Sequence, residues 1–212
     1  DGGGGPTEAP TGAVSWSMAE EEGTTDDHTW PDTCDQETGR IAIPWILAPE
    51  CYADVDGDNG GETSPGVTAD TIKVVAYTSP EDDPVIDYVT QAIANDDTVA
   101  QISETIEGYV EIYNEFSQLY GRQVEVEVLV GSGPANDEVA ARADAVRAVE
   151  EMGAFAVLGG PTLTSAFADE LTAREVVCIG CTGGGPDFYE DLDPYMFGVS
   201  ANADQVQLMV VE

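Results

Sequence analysis

The chain has 212 residues, 42 acidic against six basic, a formal net charge of −36 and 42% hydrophobic residues. That apolar fraction supports a packed core for one large domain or two small ones. The charge excludes nucleic acid and an anionic bilayer surface as partners, since neither finds the Lys/Arg patch it needs; a solvated surface for a salty medium, with counterions screening self-repulsion, explains the acidity.

The opening DGGGGPTEAPTGA suggests a flexible tether of a processed or trimmed chain. Residues 1–33 as a whole, rich in Gly, Pro, Thr and acid, are expected to form a flexible arm without regular structure. There is no initiator Met, no apolar signal segment and no apolar run of about 18 residues. Any membrane attachment is therefore expected through an N-terminal anchor missing from this chain. The single histidine, His28, lies in the arm, so neither a Ser-His-Asp constellation nor a histidine metal site is expected.

Residues 34–65 are expected to be a cysteine-bounded cap and linker. Cys34 and Cys51 flank CDQETGRIAIPWILAPEC, which lacks metal-ligand spacing. A disulfide is the natural pairing, stabilising by about 3 kcal/mol and favouring an extracytoplasmic compartment. In DVDGDNG (54–60) the acid spacing resembles a calcium loop, but Asn59 replaces the required glycine and Pro65 the bidentate glutamate, so a turn-rich linker is expected. Trp16, Trp30 and Trp45 are expected to pack in the cap at the lobe edge rather than line a partner surface.

From Val67 strands and helices alternate, defining a lobe over 66–212. TIKVVAY (71–77) is the first strand, and 80–97 an acidic insertion with some helical character. Thr98 and Gln101 have capping-box spacing before a long helix. Its apolar stripe runs through Ile102, Ile106, Tyr109, Tyr113, Phe116 and Tyr120, and Gly121 is expected to end it. VEVEVLV (124–130) alternates valine with glutamate, as an edge strand with one wet face does. Asn136 or Asp137 caps the next helix, with Val139, Ala143, Val146 and Val149 as its inner face. AFAVLGG follows, apolar as a central parallel strand should be, then a helix over 164–174 and strands in VVCIGC (176–181) and YMFGVSA (195–201). ADQVQLMVVE stops partway through an amphipathic helical pattern with no cap, so the chain is expected to be a fragment.

This alternation predicts an α/β fold with a doubly wound parallel sheet in flavodoxin-like order 2-1-3-4-5. Ligands of such sheets sit beyond the carboxyl ends of the strands, at the switch point. Three loops qualify: Thr78-Ser79-Pro80, Gly159-Gly160-Pro161-Thr162 and Thr182-Gly183-Gly184-Gly185. Glycines let backbone approach a ligand, the following helix start presents amides, and Thr162, Thr164 and Ser165 add hydroxyls. The combination suits a carboxylate or other small anion; a plain strand-to-helix turn capped by Thr162 or Thr164 is the alternative.

Cys178-Ile-Gly-Cys181 closes a strand instead of opening a helix, where a dipole would activate a thiol. Strand residues three apart lie about 10 Å apart, too far to bridge unless Gly180 turns the chain. A structural bridge, or one buried thiol, is expected over an oxidoreductase pair. GSGPAN (131–136) lacks the third glycine of a dinucleotide fingerprint and follows the wrong strand. Tyr189 and Tyr195 fit a ligand stack or rim packing. No cofactor, metal or enzymatic activity is expected.

The ordered phrases NGGETSPGVTADTIKVVAY, EFSQLYGRQVEVEVLV, EEMGAFAVLGGP and ELTAREVVCIGC resemble the type I periplasmic binding proteins. More narrowly they resemble the extracellular substrate-binding receptors of branched-chain amino-acid-type ABC transporters, in an actinobacterial style. The resemblance covers roughly 66–212. It implies a first lobe that docks a small solute, a missing second lobe that closes over it, and an ABC permease as partner. By that resemblance the first-lobe ligand contacts are Thr78, Ser79, Gly160, Pro161, Thr162, Thr164, Ser165, Thr182 and Gly183, with the loop after the third strand meeting a carboxylate and Thr182 an ammonium. The implied solute is an amino acid, amide or small carboxylate. A ligand-sensing or cell-surface domain without a transporter is the alternative.

Overall fold

The computed structural model describes residues 13–44, 46–55, 58–90, 97–117, 119–182 and 184–199. Trp45, Asp56 and Gly57 of the cap, and the ADQVQLMVVE segment, lie outside the described residues.

Where the composition predicts an unstructured arm, the structure has a helix, α1 (Trp16–Glu22). Ser15 caps it, accepting from the Met18 amide at 3.4 Å, and Gly23 closes it at φ 70°. Seven residues are too few to hold a helix alone. Tertiary packing supplies the rest: Ala19 sits in a small core with Trp30, Cys51 and Ala53, and the Trp16 and Trp30 rings lie 4.7 Å apart. Two short antiparallel strands, β1 (Cys34–Asp35) and β2 (Arg40–Ile41), complete the cap. The predicted Cys34–Cys51 disulfide is formed, with Cα atoms 5.7 Å apart. Replacing both cysteines by serine is expected to lower stability by about 3 kcal/mol, measured by urea denaturation followed through tryptophan fluorescence.

Five parallel strands form the lobe: β3 (Thr71–Thr78), β4 (Gln123–Val130), β5 (Ala156–Leu158), β6 (Val177–Ile179) and β7 (Met196–Phe197). Their spatial order is β4-β3-β5-β6-β7, the predicted 2-1-3-4-5. β4 is an edge, its glutamates exposed and Val124, Val126 and Val128 half-buried, and apolar β5 is central. Helices α2 (Pro84–Thr90), α3 (Val99–Phe116), α4 (Glu138–Glu150), α5 (Ala166–Thr172) and α6 (Pro186–Asp191) connect them. The main core joins Val75, Leu129, Val157, Phe167, Leu171 and Cys178.

Two expectations need correction. The α3 helix stops at Phe116, a turn before Gly121. The Asn114 side chain binds both the N–H and the C=O of Val124 at 2.8 and 2.9 Å, so the chain must leave the helix to reach the edge strand. Gly121 serves the turn that follows, at φ 75°. In α4 the buried face is Ala141, Asp144, Ala145 and Ala148, while Val139 is 79% exposed. Small alanines let α4 lie close against α5; ranking by hydrophobicity alone favoured the valines. The Thr98–Gln101 capping box and the Asp137 cap are both present.

Candidate functional site

In a right-handed strand-helix-strand unit, the carboxyl end of each strand and the start of the next helix lie on one edge of the sheet. At that edge, between β3 and β5, the structure has a cleft of about 560 Å3. Tyr77, Thr78 and Ser79 from the end of β3 and Gly159, Gly160 and Thr162 after β5 line it. Glu81, Asp87, Asp97 and Thr98 also line it, with Ile86, Val99 and Ile102 as an apolar part of the wall. The wall residues from α2 and the start of α3 were not among the expected contacts. A signal was present: the Thr98 capping box marks a helix start after the first strand, which topology brings to this edge.

The Gly-Gly-Pro loop has a definite mechanical role. Gly159 adopts φ 73° and donates its N–H to the Ile179 carbonyl at 2.9 Å, extending the β5–β6 ladder. A Cβ on Gly160 would stand 2.6 Å from the Cys181 carbonyl oxygen, so only glycine fits. Pro161 is fully buried under the loop. Of the expected contacts, Thr78, Ser79, Gly160 and Thr162 therefore meet in one cleft. Thr164 and Ser165 do not line it: Thr164 Oγ1 accepts from the Ala166 amide at 3.1 Å, and the Ser165 hydroxyl donates to Asp169 at 3.0 Å. Both hydroxyls serve the first turn of α5. Thr182 is half-buried and does not line the cleft, and Gly183 lies outside the described residues.

Cys178 and Cys181 are bridged, with Cα atoms 5.8 Å apart, because Gly180 turns the chain at φ 68°. Both are buried, and Gly180 contributes to the cleft wall.

Two carboxylates whose charges reach the cleft residue Tyr77 are buried and partnered. Asp83 accepts from the Val85 and Ala135 amides, each at 2.8 Å, tying α2 to the loop after β4. Asp144 accepts from the Ser132 amide at 2.8 Å and pairs with Arg147 at 3.5 Å. Tyr77 packs on Phe167, ring centroids 5.3 Å apart. Burial first, then the negative charges of Asp144 and Asp83, push its phenol up to about 12 from an ordinary 10.0. A phenol raised in this way is neutral in the fold, so its contribution to stability is complete below its unfolded value and is lost as pH rises through the folded one. Stability should fall between pH 10.0 and about 12, and Tyr77→Phe should blunt that fall in denaturant titrations across the window.

No protein-family model matches the chain, and no curated protein matches it. Solved structures do. The branched-chain amino acid transporter substrate binding protein LivJ from Streptococcus pneumoniae, in complex with isoleucine, aligns at TM-score 0.45 and 19% identity over 62% of this chain and 34% of that one. A solute binding protein of an ABC transporter from Rhodopseudomonas palustris, in complex with 3,4-dihydroxy benzoic acid, aligns at 0.43 and 16% over 62% and 32%. The leucine binding protein LivK from Thermotoga maritima aligns at 0.41 and 14% over 66% and 35%. These neighbours are type I periplasmic binding proteins. That is the group the sequence phrases resemble. The chain spans about a third of the length of the solved structures it matches.

Proposed function

We propose that this chain is the first lobe of an extracytoplasmic solute-binding protein that captures a small solute, an amino acid, amide or small carboxylate, for an ABC importer. The observation that carries the reading is the cleft at the topological switch point, where hydroxyls from the end of β3 and the loop after β5 face one space. Two disulfides support an oxidising compartment. Function is capture without chemistry. A solute docks on this lobe, a second lobe closes over it, and the closed form is presented to a permease; only the closed state makes both sets of contacts, and that difference in affinity drives closure.

A thermal-shift screen of the chain in high salt against amino acids, amides and small carboxylates tests the reading. A solute present at about 100 times its Kd adds about 2.7 kcal/mol of stability. A hit abolished by Thr162→Ala or Ser79→Ala supports the cleft, and an uptake defect on deletion of the gene ties capture to transport. A folded chain with no hit, and deletion without any uptake defect, would favour a sensing domain instead.

A further inference from the structure

We infer that two copies of this chain associate through the groove between the cap and α3, the apolar loop of each copy seated in the groove of the other. The inference does not depend on what the cleft holds.

The groove, about 260 Å3, is lined by Ile41, Ile43 and Pro49 of the cap and by Tyr109, Ile112 and Tyr113 of α3. A second hollow shares Ile41, Pro49 and Tyr113 with it and continues it to Tyr52. A surface helix ordinarily buries one apolar stripe. None of the 18 residues of α3 is buried, and Tyr109 is 70% exposed. The complement of the groove stands beside it. Ile46 and Leu47, on the loop between Ile43 and Pro49, are 92% and 67% exposed, so neither fills the groove of its own copy. Ile46 is three residues from each of those groove residues, hence within about 11 Å of both. The loop is held at its base: the Ile41 amide donates to the Pro49 carbonyl at 2.9 Å and Arg40 to the Ala48 carbonyl at 2.6 Å.

A projecting apolar loop next to an apolar groove suits a two-fold contact, because each copy then presents both halves of it. Area and charge agree. A large apolar side chain presents roughly 150–200 Å2 when fully exposed. Ile46, Leu47 and Tyr109, with Tyr52, Ile112 and Tyr113 each close to half exposed, therefore present on the order of 600 Å2 per copy. That is the upper end of the patch a monomer carries, and it approaches the about 800 Å2 per partner of a stable interface. Residues 41–49, IAIPWILAP, carry no charge, so two chains of −36 can meet there without placing carboxylates at the centre of the contact. Glu50 lines the adjoining hollow, which puts like charges at the rim, and salt screens those.

Sedimentation of the protein at its natural length, over a concentration series, tests the inference in about 0.1 M and about 1 M salt, where the Debye length is about 10 Å and about 3 Å. We expect a monomer–dimer equilibrium whose dissociation constant falls at least about tenfold at the higher salt. Ile46→Glu, which would bury an unpaired carboxylate in the partner's groove, should raise that constant at least about a hundredfold. Val139→Glu adds the same charge to an exposed apolar residue on α4 and should leave it within about twofold. A monomer at both salts would leave the groove to some other partner and overturn the inference. A dimer that weakens as salt rises would be held by charge, and one that both variants weaken alike would not use the loop; either result overturns it as well.

Discussion

Asp83→Ala is expected to lower the stability of the chain by about 3 kcal/mol and to weaken solute binding in the cleft. The carboxylate is 1% exposed and accepts from Val85, Ile86 and Ala135. Hydrogen bonds to a charged acceptor contribute about 1.5–3 kcal/mol each, and a buried donor stripped of its partner keeps the full desolvation penalty. Val85 and Ile86 could recover solvent by fraying the first turn of α2. Ala135 is fully buried, so its amide could not without moving the loop after β4. The damage should be local to the wall that carries Ile86 and Asp87. Asp83→Asn, which retains one acceptor oxygen, should lose about half as much. Denaturant unfolding in high salt gives the stability difference; equal stability of Asp83→Ala and the parent would show the clamp to be dispensable.

Phe167→Ala is expected to cost about 4 kcal/mol, the larger single effect, as truncation of a fully buried aromatic does when its surroundings cannot collapse. Phe167 is 0% exposed, on α5 beneath the sheet edge, and Tyr77 rests against it. One of its ring atoms would lie 3.0 Å from a Cβ on Gly160, so the ring also supports the floor of the cleft. Phe167→Leu should recover most of the loss. Calorimetry of the two variants separates the volume lost from the aromatic contact, and a cost under about 1 kcal/mol for the alanine variant would contradict the packing described here.

Strand order, the edge position of VEVEVLV, the Thr98 capping box and the Cys34–Cys51 disulfide were legible in sequence from rules of alternation, capping and spacing. The choice of Asp137 over Asn136 as cap, and of a Cys178–Cys181 bridge over a buried thiol, was left to the structure. Helix α1 was missed: its seven residues are stabilised by the Trp30 and Cys51 cluster, a contact no local window contains. The buried face of α4 was misassigned for a related reason, since fit against α5 selects for smallness there and hydrophobicity scales do not measure it. The strand-end loops could be placed at one edge of the sheet from sequence because topology locates them there. Their individual hydroxyls divided unpredictably between the cleft (Thr78, Ser79, Thr162) and local capping (Thr164, Ser165). The acidic wall joins residues up to 81 positions from the loop after β5 through the fold, so it could not be read from spacing.

A second space on the molecule competes with the cleft: an apolar groove of about 260 Å3 between the cap and α3, lined by Ile41, Ile43, Tyr109 and Tyr113. The most direct test is a crystal structure of the chain soaked in a mixture of amino acids, amides and amines. The account predicts ordered solute between Ser79 and Thr162, against the Tyr77 ring. Ordered solute in the cap groove, with the cleft holding only solvent, would contradict it.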